Sequence, residues 1–259
     1  MYKNLEELIE IIKILRSENG CQWDREQTHA SLKPNMLEEA YEAVDAIDNN
    51  DMKHLKEELG DVLLQVVLHA QIADEGNAFN IDDVAKGLND KLIRRHPHVF
   101  GNVEVNSTKE ILDNWEQIKS EEKAHRTSIM DGISRSQSAL MSAQKISKKA
   151  VKAGFEWDCE KTLYDCVFSE IKEFQDACRS GDCEHIEEEM GDILFAMVNL
   201  ARWNKLDAEQ SLLKANKKFI KRFKKMEELA TKPLEEYSFD EFDTLWKCAK
   251  GEMIKSKVH

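Results

Sequence analysis

The chain has 259 residues, enough for one large domain or two smaller ones, and 41% of them are hydrophobic, enough to bury a core. Its formal net charge of -13 argues against general nucleic-acid binding, because phosphate backbones attract basic surfaces. No run approaches the roughly 18 apolar residues that cross a bilayer, and residues 1–20 are charged and amphipathic, unlike a secretory signal.

Apolar residues recur at helical spacing along most of the sequence. Leu5, Leu8, Ile9, Ile12 and Leu15 form a stripe that predicts a first helix, ended by Asn19-Gly20. Pro34 stands where a first helical turn tolerates it and opens a helix to about Asp48. A turn at 49–51 leads into a helix over 52–73, broken at 74–77. Further helices are expected over 81–95, stopped by Pro97, and over 108–123. Residues 124–138 lack an apolar period and read as a linker; helical periodicity resumes at Ala139. The expected organisation is therefore two helical domains, 1–123 and 139–259. With only 3 Pro and 10 Gly and no strand-like alternation, the fold class is all-α. The 6 cysteines are scattered without metal-knuckle spacing and read as reduced thiols, which points to the cytoplasm.

The two halves repeat each other. Residues 37–71 shifted by 131 positions onto 168–202 give 13 identities in 35 positions without a gap. The match extends outward with small gaps: Trp23 with Trp157, Lys91 and Arg95 with Lys218 and Arg222, and Trp115 with Trp246. The chain reads as a tandem duplication of one helical unit.

Four acids per half lie within the repeat: Glu39, Glu42, Glu58 and Asp61, then Glu170, Glu173, Glu189 and Asp192. Each pair is spaced i, i+3, so both carboxylates share a helix face, about 4.5 Å apart along the axis. If the two helices form an antiparallel hairpin about Asn50, Glu42 lies level with Glu58 and Glu39 with Asp61. About Gly181, Glu173 faces Glu189 and Glu170 faces Asp192. Four like charges so close repel one another unless a cation neutralises them, and a hard divalent ion with oxygen ligands fits. A single Glu-x-x-Glu is usually solvated surface; its repetition next to core-like Leu63/Leu194 and Val67/Val198 favours metal binding. Lys91 with Arg95, and Lys218 with Arg222, each place a Lys and an Arg one turn apart, which suits a polyphosphate but also an ordinary solvated face. Trp115 and Trp246 can stack on a base or fill core. His54 and His185 read as neutral surface histidines.

These motifs resemble the MazG family. The resemblance is carried by residues 19–29 (NGCQWDREQTH), 37–42 (LEEAYE), 57–61 (EELGD) and 94–100 (RRHPHVF) in the first half. In the second half it is carried by 154–158 (GFEWD), 187–192 (EEEMGD) and 198–202 (VNLAR). It implies tandem units of the all-α NTP pyrophosphatase type, assembled as a homodimer. It also implies hydrolysis of NTPs and dNTPs to nucleoside monophosphate and pyrophosphate with Mg²⁺, in nucleotide-pool control. Glu170, Glu173, Glu189 and Asp192 would then be the catalytic magnesium ligands, with Glu39, Glu42, Glu58 and Asp61 as their first-half equivalents. Lys218, Arg222 and Trp246 would bind nucleotide, with His185 and Glu188 alongside and Lys91 and Arg95 in the first half. The second half departs from the family pattern at Ser169, where the first half has Glu38, and at His185, where some relatives have Lys. Two other readings are a di-iron bundle, for which Glu26-x-x-His29 is a solitary match, and a helical module that senses nucleotides without turnover.

Overall fold

The computed structural model describes residues 3–122, 127–134 and 136–255, and among these there is no β-strand. The chain divides into two compact units, Met1–Ala124 and His125–His259. The expected linker 124–138 lies partly outside the described residues. Within it, the Asp131 carboxylate accepts from the Thr127 and Ser128 amides, and Lys149 Nζ donates to the carbonyls of Ile129 and Asp131 at 2.5 and 3.0 Å.

The first unit contains α1 (Lys3–Leu15), α2 (Gln22–Glu26), α3 (Lys33–Asp48) and α4 (Met52–Glu75). It continues with α5 (Ile81–Arg95), the single turn α6 (Pro97–Phe100) and α7 (Thr108–Glu121). The predicted stripe of α1 packs as expected in its C-terminal part. Ile12 is buried with Leu32, Val67 and Leu68, and Leu8, Ile9 and Leu15 lie against them, while Leu5 stays exposed. Arg16 then clamps the end of α1 to the end of α4 through a bidentate pair with Glu75 at 2.8 and 2.7 Å. α5 begins with a capping box between Asn80 and Asp83, which satisfies otherwise unpaired first-turn amides.

The second unit contains α8 (Ala139–Lys152), α9 (Glu160–Ser180), α10 (Cys183–Trp203), α11 (Ala208–Leu229), a 3₁₀ turn (Leu234–Glu236) and α12 (Phe239–Lys255). Here the core contains polar groups that bond one another. Asn199, at the place of Leu68, accepts from Ser147 Oγ at 2.6 Å; Ser147 in turn accepts from Arg202 Nε at 2.6 Å. Arg202 completes the network with a bidentate pair to Glu156. The Ser147 hydroxyl and the Asn199 side-chain oxygen thus have partners, which is the condition for carrying them in a core.

The duplication is visible in burial as well as in identity. Leu32 and Leu163, Ala46 and Ala177, Val67 and Val198 are all buried at the same 131-residue offset, each to within 1% of full burial. Ala46 and Ala177 lie near the tips of the α3/α4 and α9/α10 hairpins, where a small side chain lets the paired helices approach. The hairpins are closed alike. Asp51 and Asp182 cap α4 and α10 by accepting from the amides two and three residues on. Asn50 and Gly181, the equivalent turn residues, both adopt left-handed backbone, with φ of 53° and 77°. A Cβ at Gly181 would meet nothing within 4 Å, so Gly181→Ala costs only the backbone conformation, about 1 kcal/mol. Urea unfolding should show that loss; an unchanged midpoint would mean that the turn relaxes.

One expectation changes here. Val67 and Val198 are core, but Leu63 and Leu194 are 38% and 52% exposed. They stand one turn before the valines.

Candidate active site

The hairpins bring the repeated acids together. In the first unit, carboxylate oxygens of Glu39, Glu58 and Asp61 lie within 4.8 Å of one another; in the second, those of Glu170, Glu173 and Glu189 do. The predicted squares are therefore drawn tight at three corners each. The fourth corners differ: Glu42 in the first unit, which raises Glu58, and the exposed Asp192 in the second. Burial pushes the Glu39 carboxyl above the usual carboxylate range, helped by the charges of Asp61 and Glu42. Burial, then Glu42, also raise Glu58, against the opposing pull of His54.

Glu58 and Glu189 are the buried members, and their surroundings repeat. His54 Nε2 lies 2.7 Å from Glu58 Oε1, and His185 Nε2 lies 3.0 Å from Glu189 Oε1. His185 is exposed and His54 half-exposed, yet both orient the buried acids. Their i, i+4 spacing is that of any helix-face pair, and it gains weight only from the burial of the acid. In both units the other oxygen, Oε2, is buried without a hydrogen-bond partner. An orphaned buried carboxylate oxygen is costly, and here it occurs twice at equivalent positions among other carboxylates. A divalent cation would satisfy that oxygen and offset the crowded charge. An all-oxygen donor set selects a hard ion over a thiophilic one.

Two contacts in the second unit are not evident from spacing. Ser169 Oγ donates to Glu173 Oε1 at 2.7 Å, so the departure from a Glu doublet supplies a donor that fixes a cluster carboxylate. Cys166 donates to Glu170 at 3.5 Å, and burial pushes its thiol up. Glu188 is exposed beside Glu189. The di-iron reading finds no support in the geometry. His29, the histidine of its one motif, stacks on His69 with Nδ1 atoms 2.8 Å apart; among the described residues the clusters group carboxylates alone, and the histidines bonded to them, His54 and His185, stand at i−4 and not in a Glu-x-x-His motif.

The expected anion-binding residues lie on α5 and α11, and their settings differ between units. Arg222 stands over the Trp246 ring at 5.8 Å, and Phe219 packs against the same ring with centroids 5.1 Å apart. Lys218 is exposed one turn away. In the first unit Lys119, not an arginine, lies over Trp115, while Arg95 and Arg94 both bond Glu122. Lys91 is exposed.

The family described as the MazG nucleotide pyrophosphohydrolase domain matches the chain twice, at residues 27–100 and 159–226. Each match spans one hairpin with its acid cluster and all or most of the following helix, α5 or α11. The chain is 49% identical over 250 residues to the nucleoside triphosphate pyrophosphohydrolase/pyrophosphatase MazG of Thermotoga maritima, covering 95% of both chains. It is 44% identical over 258 residues to a nucleoside triphosphate pyrophosphohydrolase of Escherichia coli K12, covering 96% of this chain and 98% of that one. A Mycobacterium tuberculosis protein of the same description is 46% identical over 134 residues, 51% of this chain and 41% of that one.

Proposed function

This chain belongs to the MazG family of nucleotide pyrophosphohydrolases, and on that premise we propose that it cleaves nucleoside triphosphates, ribo and deoxy, to the monophosphate and pyrophosphate with Mg²⁺. The observation that carries the metal requirement is the buried, unpartnered Oε2 of Glu58 and Glu189 inside each carboxylate cluster. Glu170, Glu173, Glu189 and Asp192 would hold Mg²⁺ in the second unit, and Glu39, Glu42, Glu58 and Asp61 in the first. When bound, Mg²⁺ supplies Lewis-acid polarisation of phosphoryl oxygens and offsets charge on the departing pyrophosphate. The protein's own groups do the rest. His185 fixes the rotamer of Glu189, and Ser169 that of Glu173. Lys218 and Arg222 neutralise the phosphates, Trp246 gives the base a face, and a cluster carboxylate oxygen accepts the proton of the attacking water.

The second unit is the proposed catalytic one, following the family resemblance. A homodimer is supported by apolar side chains exposed at equivalent positions of both hairpins: Leu37 and Phe168, Leu59 and Met190, Leu63 and Leu194. A second copy would cover them, as patches of this kind mark association surfaces. No described helix is long and apolar enough to cross a membrane, and a cytoplasmic place fits the free cysteines.

The test is metal removal. EDTA should abolish turnover of a panel of NTPs and dNTPs, and excess Mg²⁺ should restore it. Mg²⁺ should also raise the melting temperature, because it binds only the folded cluster. The size of that rise has a predicted sign with pH. Glu39 and Glu58 titrate above their unfolded value of about 4.3. Their native state therefore holds more protons, and metal-free stability falls as pH rises from that value through the raised one. The Mg²⁺-induced shift should be larger at pH 7.5 than near pH 4.5. No shift at either pH, with or without nucleotide, would remove the metal from the proposal.

A further inference from the structure

The two units carry the same Lys/Arg pair, but only in the first is its arginine tied to a carboxylate. In the first, Arg95 Nη2 lies 2.5 Å from Glu122 Oε2 and Arg94 Nε lies 2.7 Å from Glu122 Oε1. Arg95 and Glu122 side chains are only 16% and 18% exposed, so solvent and salt screen the pair weakly. The two arginines hold the Glu122 carboxyl down at about 2, Arg95 contributing most. Glu116, on α7 just before Glu122, adds a second negative charge toward Arg95. The repeat offset that pairs Trp115 with Trp246 places Lys247 where Glu116 stands and Met253 where Glu122 stands. Among the described residues, Arg222 has the Trp246 ring beside it and no carboxylate within ion-pair distance.

A carboxylate and a phosphate compete for the same guanidinium donors, since both present paired oxygens to its fork. Glu122, tethered beside Arg95, competes at a high effective concentration. We propose that Glu122 is a built-in occupant of the first unit's polyphosphate clamp, so that this unit is a second, weaker nucleotide site that opens only when a nucleotide's phosphates displace the carboxylate. This rests on reading Lys218 and Arg222 as the clamp of the second unit. It gives the duplicated chain two nucleotide affinities: the second unit fills first, and the first responds only when nucleotide is abundant.

The experiment is calorimetric titration of the full chain with α,β-methylene-ATP and Mg²⁺. The wild type should show two classes of site whose affinities differ by about tenfold or more, and Arg95→Ala should remove the weaker class. In an Arg222→Ala background, Glu122→Gln should tighten the remaining class by about tenfold, and adding Arg95→Ala should cancel that gain. Glu122→Met, which copies the residue at the equivalent place, should do the same. If either Glu122 variant folds, as judged by circular dichroism, and leaves the affinity unchanged, the proposal is overturned. A gain that survives Arg95→Ala overturns it too. If neither variant folds, the wild-type titration decides: a single class indifferent to Arg95→Ala rejects the idea. An Arg222→Ala variant that keeps the tight class intact would sink the clamp reading itself, and the proposal with it; the other outcomes leave that reading standing.

Discussion

Glu189→Gln is expected to lower kcat/KM for Mg²⁺-ATP by about a hundredfold or more, and Glu58→Gln by less than about tenfold. Both acids are buried, both bond a histidine through Oε1, and both carry an orphaned Oε2. The substitution keeps shape and volume while removing the charge that a cation needs. The ranking follows from the clamps. A phosphate chain held over the second cluster can use Arg222, whereas over the first it must displace Glu122 from Arg95. The reverse ranking would assign catalysis to the first unit. A second readout separates a metal ligand from a structural acid. Raised by burial and by Glu42, the native Glu58 carboxyl binds a proton more readily than the unfolded one, so its ionisation near neutral pH weakens the fold. Glu58→Gln should therefore raise the melting temperature in EDTA at pH 7.5 while reducing the further rise that Mg²⁺ produces. A variant that melts lower in EDTA would show that the cluster holds the fold by contacts that depend on its charge.

Much of this arrangement is legible in the order of the residues alone. Helix termini follow local chemistry: Asn80 caps α5 and Pro97 stops it, and both ends fall where the pattern puts them. The pairing of Glu39 with Asp61 and of Glu42 with Glu58 follows from counting outward from a turn. It holds because a tight hairpin fixes register, and Asp51 and the left-handed Asn50 fix the hairpin. What is not legible depends on distant contacts or rotamers. Leu63 and Leu194 match core residues in type and spacing yet are exposed, which depends on tertiary packing that spacing does not encode. Which three of four acids close up is a matter of side-chain rotamers, which spacing does not encode. Glu122 gives no signal next to Arg94 and Arg95 because 27 residues and the turn α6 separate it from Arg95. The one trace of it in the sequence is the replacement of Glu116 and Glu122 by Lys247 and Met253 between the halves.

The bond broken is the remaining question, and in H₂¹⁸O the expected products of ATP are AMP carrying the label and unlabelled pyrophosphate. Several features narrow the chemistry. The sequence has no Gly-x-x-x-x-Gly-Lys-Ser/Thr loop, so the geometry that presents a γ-phosphate in P-loop enzymes is missing. A covalent enzyme intermediate would need an activated nucleophile. The thiol that bonds a cluster acid, Cys166, is pushed up by its burial and by Glu170, which leaves it protonated and inert. On the proposed reading the oxygen nucleophile is water, deprotonated at a cluster carboxylate. Pyrophosphate leaves well when its charge is matched, and Lys218 and Arg222 lie one turn apart on α11 to match it. Attack at the α-phosphorus places the label on AMP; attack at the β-phosphorus would place it on pyrophosphate and relocate the water relative to the cluster. ADP and orthophosphate as the main products would contradict pyrophosphohydrolase activity altogether, since the α–β bond would then be intact.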